Sequence, residues 1–416
     1  MKKILLLGGS LQQIEAIQTA KRQGLYTVLC DYLEDNPGQY YADRFYPVST
    51  TDREAVLEVA RKEKADYIIA YASDPAAPTA AYVAEQMHMP GNPFRSVEIL
   101  CDKEKFRDFQ RKNGFFAPEG SAYSDVKEAL RDIENGRFVF PIIAKPVDSS
   151  GSKGVGKIEK VSDAEAKLAN ALLFSRKGRI IVEEMVDTCG RQIVGDGLSV
   201  NGKLVFSYFA DHHFDEKCEN PFVPVSGSFP CSLSGEMLGR VNGEIQRLLT
   251  MLDMRTSAYN FEVRTDSNQN IFLMETAPRN GGNFIPEVIK YSCGLDLIEC
   301  CVRGAMGEEI TFDSCIEPKG FYAYYVIHST RDGILDRVEI DPEVRKKHII
   351  QEHIITRPGE NVYAFTGANR VIETLLMKFE NMGQMQHMME HSEEWVKVLL
   401  REGAASKRID QGKEGV

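Results

Sequence analysis

The sequence predicts a mixed α/β and α+β chain of several domains, and three observations carry that expectation. Short apolar runs alternate with helical repeats through the first hundred residues, the pattern of a parallel sheet. Apolar runs of strand character come in hairpin-like pairs between residues 192 and 275. An aromatic, apolar run at 321–327 opens a last stretch punctuated by Asp332-Gly333 and Pro358-Gly359. At about 100–200 residues per domain, 416 residues suit two to four domains.

In the first third, Ile4-Leu5-Leu6-Leu7 precedes Gly8-Gly9-Ser10, and Leu11, Ile14, Ile17 and Ala20 recur at helical spacing. A second apolar run ends at Asp31. Residues 53–63 read as a helix, 67–70 as a strand and 79–87 as a further helix. A dinucleotide site with Asp31 on a ribose would need G-x-G-x-x-G, but the last two glycines are missing here. The plainer reading is a tightly packed strand turn; backbone N–H groups at the helix start holding an anion is the intermediate one.

Composition narrows the function classes. The apolar fraction is 43% and the charged fraction 27%, ordinary for a globular protein with a sizeable core. The net charge of −11 argues against broad binding to nucleic acid or anionic membrane. Nine cysteines without a C-x-x-C spacing read as reduced thiols, and the expected compartment is the cytoplasm. The apolar run at the N-terminus is too short for a signal segment, and no run reaches the roughly 18–20 residues of a membrane span.

The chemistry concentrates in the middle. Asp102-Lys103 opens a helical segment that runs to Asn113-Gly114. The apolar run 138–144 ends in Lys145-Pro146, and a lysine closing a buried strand needs an anion to meet. A small, polar loop follows, Ser149-Ser150-Gly151-Ser152-Lys153-Gly154-Val155, able to offer N–H groups and hydroxyls to phosphate oxygens. A strand at 180–182 leads into Glu183-Glu184-Met185-Val186, and residues 192–200 and 204–209 form a hairpin turned at Asn201-Gly202. Residues 234–251 form an amphipathic helix. Strands at 259–263 and 271–275, paired as a hairpin, would set Glu262 beside Glu275. Two close carboxylates call for a cation, and hard oxygen ligands suit Mg²⁺. Arg279 lies four residues beyond and could clamp a phosphoryl group or a carboxylate. Taken singly, each piece also reads as solvated strand, flexible turn or ion pair; the order of the set is the signal.

That order resembles the ATP-grasp superfamily, which includes biotin carboxylase, carbamoyl-phosphate synthetase and the L-amino acid ligases. The resemblance implies an N-terminal Rossmann-like parallel sheet (1–101), a two-lobed ATP-grasp domain (102–315, small mobile lobe about 118–186) and a C-terminal α+β lid (316–416). It implies Lys103 and Lys145 on ATP phosphates, and Ser149, Ser150, Gly151, Ser152, Gly154 and Val155 in a flap over them. It places Glu183, Glu184, Met185 and Val186 at adenine, Gln192 at the ribose, and Glu262 and Glu275 on Mg²⁺ or Mn²⁺. Arg279 and Lys145 would be catalytic. The implied reaction activates a carboxylate with ATP as an acyl phosphate, then couples it to an amine. A bicarbonate-activating enzyme and a non-catalytic ATP-binding protein are the alternatives, and relatives suggest a homodimer. Two positions depart from the family pattern. Gln192 replaces the ribose-binding acid of G-x-E, which implies weaker ATP binding. Ala277 replaces the asparagine of E-x-N-P-R, which removes one metal ligand.

Other motifs receive plainer readings. His212-His213 is expected in a loop near the acceptor or simply solvated, and His387 and His391 on a helix surface. Cys300-Cys301 is expected in core, residues 222–234 in an acceptor-site loop, 394–401 in a helix, and 407–416 in a frayed tail.

Overall fold

The computed structural model describes residues 1–311 and 316–401; Cys315 and the polar tail 407–416 lie outside the described residues. The N-terminal unit is a four-stranded parallel sheet. Its spatial order is Arg44–Pro47, Tyr26–Asp31, Lys3–Leu7, Tyr67–Ile69. Helices Ile14–Arg22, Arg53–Glu63 and Ala77–Gln86 connect and cover it. The unbroken apolar run of the first strand follows from this layering. Leu5 and Leu7 face one core while Ile4 and Leu6 face another, so both faces are buried.

The turn after that strand packs as tightly as its glycines suggest. A Cβ on Gly9 would stand 2.0 Å from Asn36 Oδ1, so only glycine fits there. Asp31 accepts from the N–H groups of Gly9 (2.7 Å) and Leu33 (2.9 Å). Its carboxylate thus closes the turn.

A smaller lobe has a four-stranded antiparallel sheet ordered Gly120–Tyr123, Ile180–Glu184, Ile142–Pro146, Gly156–Ile158. Ala129 and Ile133 of helix Val126–Glu134 share a core with Ala164, Leu168 and Ala171 of helix Ala164–Leu173. The strand expected over 138–144 begins only at Ile142 and continues through Lys145 to Pro146.

The third body is an eight-stranded antiparallel sheet. It runs Ile271–Ala277, Ser257–Thr265, Ile193–Val200, Lys203–Phe214, Pro224–Phe229, Phe321–Ile327, Glu373–Phe379, Ile349–Ile354. The last three strands follow residue 315 in sequence, so one sheet spans the central and C-terminal regions. Helix Gly235–Met251, capped by Ser234, buries Val241, Ile245, Leu248 and Leu249. Each such side chain contributes about 1.5–3 kcal/mol of transfer free energy.

Three sequence expectations are corrected. Residues 394–401 do not form a helix: Val396–Arg401 is a strand paired with Gly333–Ile340. Val396, Val398 and Leu400 alternate against the C-terminal core, the period-two pattern of a strand. His212 and His213 are neither loop nor solvated residues but buried members of the strand Lys203–Phe214. Within residues 222–234, Pro224–Phe229 is a strand paired on both edges, so the expected loop is interrupted by sheet. Among the described residues, no helix is long and apolar enough to cross a membrane.

Candidate active site

A cavity of about 450 Å³ opens where the three sheets converge. Lys103, Lys145, Ser149, Ser150, Gly151, Ser152, Val155, Glu183, Glu184, Met185, Val186, Gln192, Glu262, Glu275 and Arg279 all line it. Gly154 lies outside that lining; a Cβ there would stand 3.0 Å from Phe174 and Pro146.

The hairpin of Ser257–Thr265 and Ile271–Ala277 sets Glu262 directly opposite Glu275, with a bulge immediately after Glu262. Burial, reinforced by the Glu275 charge, pushes the Glu262 carboxyl well above the usual carboxylate range. Two half-buried carboxylates in register are a poor arrangement for packing alone. A divalent cation between them supplies the missing charge, so this pair fits Mg²⁺. Gln192 borders the pair: its Nε2 donates to Glu262 Oε2 at 3.1 Å, and its Oε1 accepts from Arg264 Nε at 2.6 Å. Ala277 lies opposite Asn260, whose Nδ2 donates to Asp196 Oδ1 at 2.9 Å.

Cations gather around the same cavity. Lys103 is the first residue of helix Lys103–Lys112, capped by the Asp102 carboxylate. Its Nζ donates to Ser149 O at 2.9 Å and stands 3.7 Å from Glu275. Lys145 Nζ is 2.5 Å from Glu183 Oε2, and the fully buried Arg107 donates to Glu183 Oε1 at 2.7 Å. Burial pushes the Glu183 carboxyl up, but Arg107 and Lys145 outweigh it and leave it at about 2. For Lys145, burial lowers the ammonium to about 8 because Glu183 offsets it only in part, with Arg107 and Lys103 also nearby. The two shifts point opposite ways for one reason: Glu183 has two cations, whereas Lys145 has half an anion. This wall therefore carries surplus positive charge that an anionic ligand would satisfy. Sequence reasoning missed Arg107, which sits among ordinary helix residues.

Arg279 is held by a second residue that the sequence did not flag. Its Nε and Nη2 donate to Asp74 Oδ1 and Oδ2 at 2.7 and 2.5 Å, a bidentate pair to the N-terminal unit. The turn after it is fastened by Asp196, which accepts from Gly281 N at 2.8 Å. Burial pushes the Asp196 carboxyl up to about 6.

Nearby, Glu287 Oε2 is buried without a hydrogen-bond partner. Burial, with Glu15 and Asp196 adding repulsion, pushes its carboxyl up to about 8. A folded-state value raised above the unfolded one gives stability that is complete below about pH 4.3. That stability is lost as pH rises toward 8, at up to about 1.4 kcal/mol per unit. Glu287→Gln is therefore expected to match the parent in thermal stability near pH 4 and exceed it at pH 8. Parallel melts at the two pH values check this, and an unchanged difference would contradict it.

The flap is docked in this conformation. Gly151 and Gly154 adopt φ of +64° and +73°. Gly151 O accepts from Ala368 N at 3.0 Å, and Ser152 Oγ donates to Phe222 O at 2.8 Å. Asn220 Nδ2 bridges Ser152 O (2.8 Å) and Thr366 O (3.0 Å). The turn at Gly367-Ala368-Asn369 is thus part of the flap's seat. Ile355, Val371 and Thr374 of the C-terminal region also line the cavity.

In the linker, Met185 and Val186 line the cavity, and Met185 N donates to Pro141 O at 3.1 Å. Glu184 Oε1 accepts from Val139 N at 2.8 Å, and the Glu183 carboxylate is committed to the cation wall. His212, buried beside Gln192, is lowered to about 3 by burial and is neutral. His213 accepts or donates at Ser228 Oγ, 2.8 Å away.

Residues 138–287 match the ATP-grasp domain family. The chain is 30% identical over 188 residues to the formate-dependent phosphoribosylglycinamide formyltransferase of Hydrogenovibrio crunogenus, covering 44% of this chain and 47% of that one. It is 23% identical over 368 residues to the carbamoyl phosphate synthase large chain of Thermotoga petrophila, covering 82% of this chain and 31% of that one. The chain therefore spans less than half the length of these curated relatives. In fold, the L-amino acid ligase of Bacillus licheniformis superposes with a TM-score of 0.81 at 19% identity, covering 97% of this chain and 99% of that one. The expected mixed architecture with a Rossmann-like sheet is thus the one observed, and residues 138–287 match the ATP-grasp domain family within a chain that shares the fold of that L-amino acid ligase structure.

Proposed function

We propose that this protein is an ATP-dependent ligase that activates a carboxylate as an acyl phosphate and couples it to an amine. The observation that carries this reading is that the Glu262–Glu275 pair, Lys103 and Lys145 line one cavity, with Lys103 Nζ 3.7 Å from Glu275. When bound, Mg²⁺ held by the two glutamates would offset phosphate charge. Lys103 and Lys145 bind the phosphates and Lys145 balances charge on the transferring group, while the flap excludes water. A carboxylate oxygen attacks the γ-phosphorus and ADP leaves; the amine nitrogen then attacks the acyl carbon, and phosphate departs. Arg279 orients the carboxylate.

The substrate side of the cavity has an apolar wall of Leu11, Phe284, Ile285, Tyr324, Ile355 and Val371. Such a wall favours a carboxylic acid with an apolar body over bicarbonate. The test is ADP release with Mg-ATP, hydroxylamine and a panel of amino acids, small acids and bicarbonate. Acid-dependent ADP release with a matching hydroxamate is the expected result. Release with bicarbonate alone would replace this reading by a bicarbonate-activating one. ATP binding without release for any donor would leave a non-catalytic nucleotide-binding role.

A further inference from the structure

We propose a second metal site, for a Zn²⁺-like divalent ion, formed by Asp215, Cys218 and His328 at the back of the flap's seat. The three residues offer a carboxylate oxygen, a thiol sulfur and an imidazole nitrogen, all within 4.8 Å of one another. His328 Nε2 and Asp215 Oδ2 already stand 3.1 Å apart. Tetrahedral zinc bonds of about 2.0–2.3 Å place ligand atoms roughly 3.4–3.6 Å from each other, so side-chain rotation alone closes the set.

The imidazole is prepared for this role. Its Nδ1 lies 2.9 Å from the backbone carbonyl of Val326, which fixes the tautomer with a lone pair on Nε2, facing Asp215 and Cys218. Phe365 packs on the ring at 4.7 Å and holds its plane. Cys218 is 6% exposed, so the sulfur is shielded yet lies beside the surface. A sulfur, nitrogen and oxygen set selects zinc-class ions over Mg²⁺, which the Glu262–Glu275 pair suits instead. Three protein ligands leave a fourth position for water.

The place in the fold gives the site its consequence. Asp215 and Cys218 begin the loop that ends in Asn220 and Phe222, the residues holding Ser152 of the flap. His328 follows the strand Phe321–Ile327, 113 residues beyond Asp215 in the chain. A metal here ties the flap's seat to the C-terminal region and braces the loop in its docking conformation.

The test uses the full chain, freed of metal by a chelator, and titrated with Co²⁺. One equivalent is expected to give a thiolate-to-cobalt charge-transfer band in the near ultraviolet. The band should vanish in Cys218→Ser and in Asp215→Asn/His328→Ala, and persist in Glu275→Gln. Its absence from the parent protein, or its persistence in Cys218→Ser, overturns the site. Tryptic cleavage after Lys153 reads the bracing separately. Zn²⁺ is expected to slow it on the order of threefold in the parent and not in Cys218→Ser. Metal binding with an unchanged cleavage rate overturns the bracing while the site stands.

Discussion

Glu275→Ala is expected to lower Mg-ATP-dependent ADP release by on the order of 10²–10³, from about 3–4 kcal/mol of lost transition-state stabilisation. The carboxylate has few structural duties: its nearest cation is Lys103 Nζ at 3.7 Å, and its side chain is partly exposed. Glu262 would lose its neighbour's repulsion, and any cation would lose one of two register-matched ligands. Thermal stability should hold while the Mg²⁺ requirement shifts to higher concentration. Turnover against Mg²⁺, together with a melt, checks both; undiminished turnover removes the metal assignment.

Arg107→Ala is expected to have the largest effect on stability, a loss of about 3–5 kcal/mol. The guanidinium is fully buried and donates to Glu183 Oε1 (2.7 Å), Gln110 Oε1 (2.9 Å) and Met274 O (3.0 Å). It thereby joins helix Lys103–Lys112, the small lobe's sheet and the large sheet. Its removal leaves Glu183 buried with Lys145 alone, and leaves two acceptors without a donor. Arg111→Ala, on the same helix but in an exposed pair with Asp108, should cost less than about 1 kcal/mol. Urea unfolding of both variants gives the comparison, and equal losses would refute the buried-network account.

Local patterns made the main pieces legible. Two strand-like runs around Asp266-Ser267-Asn268-Gln269-Asn270 made the hairpin legible, whereas the one-residue bulge after Glu262, which sets it opposite Glu275 and not Met274, emerged only in the structure. Lys145 stood out because an ammonium rarely ends a buried strand. The residues that were missed act across sequence distance. Asp74 reaches Arg279 from another unit, and Arg107 looks like any helix arginine until Glu183 is folded onto it. The strand at Val396 escaped because six residues with one charged end fit either period until a partner strand selects one.

The shared eight-stranded sheet bears on how this protein can be divided. Strand Pro224–Phe229 pairs with Phe321–Ile327 through Ser226, Gly227, Ser228 and Phe229. A fragment stopping near residue 311 would strip that strand of its neighbour and bare a row of unpaired main-chain N–H and C=O groups. Such a raw edge templates strand addition from other molecules. The central and C-terminal regions are therefore not separable modules: a shortened protein is expected to aggregate before it reveals anything about its chemistry.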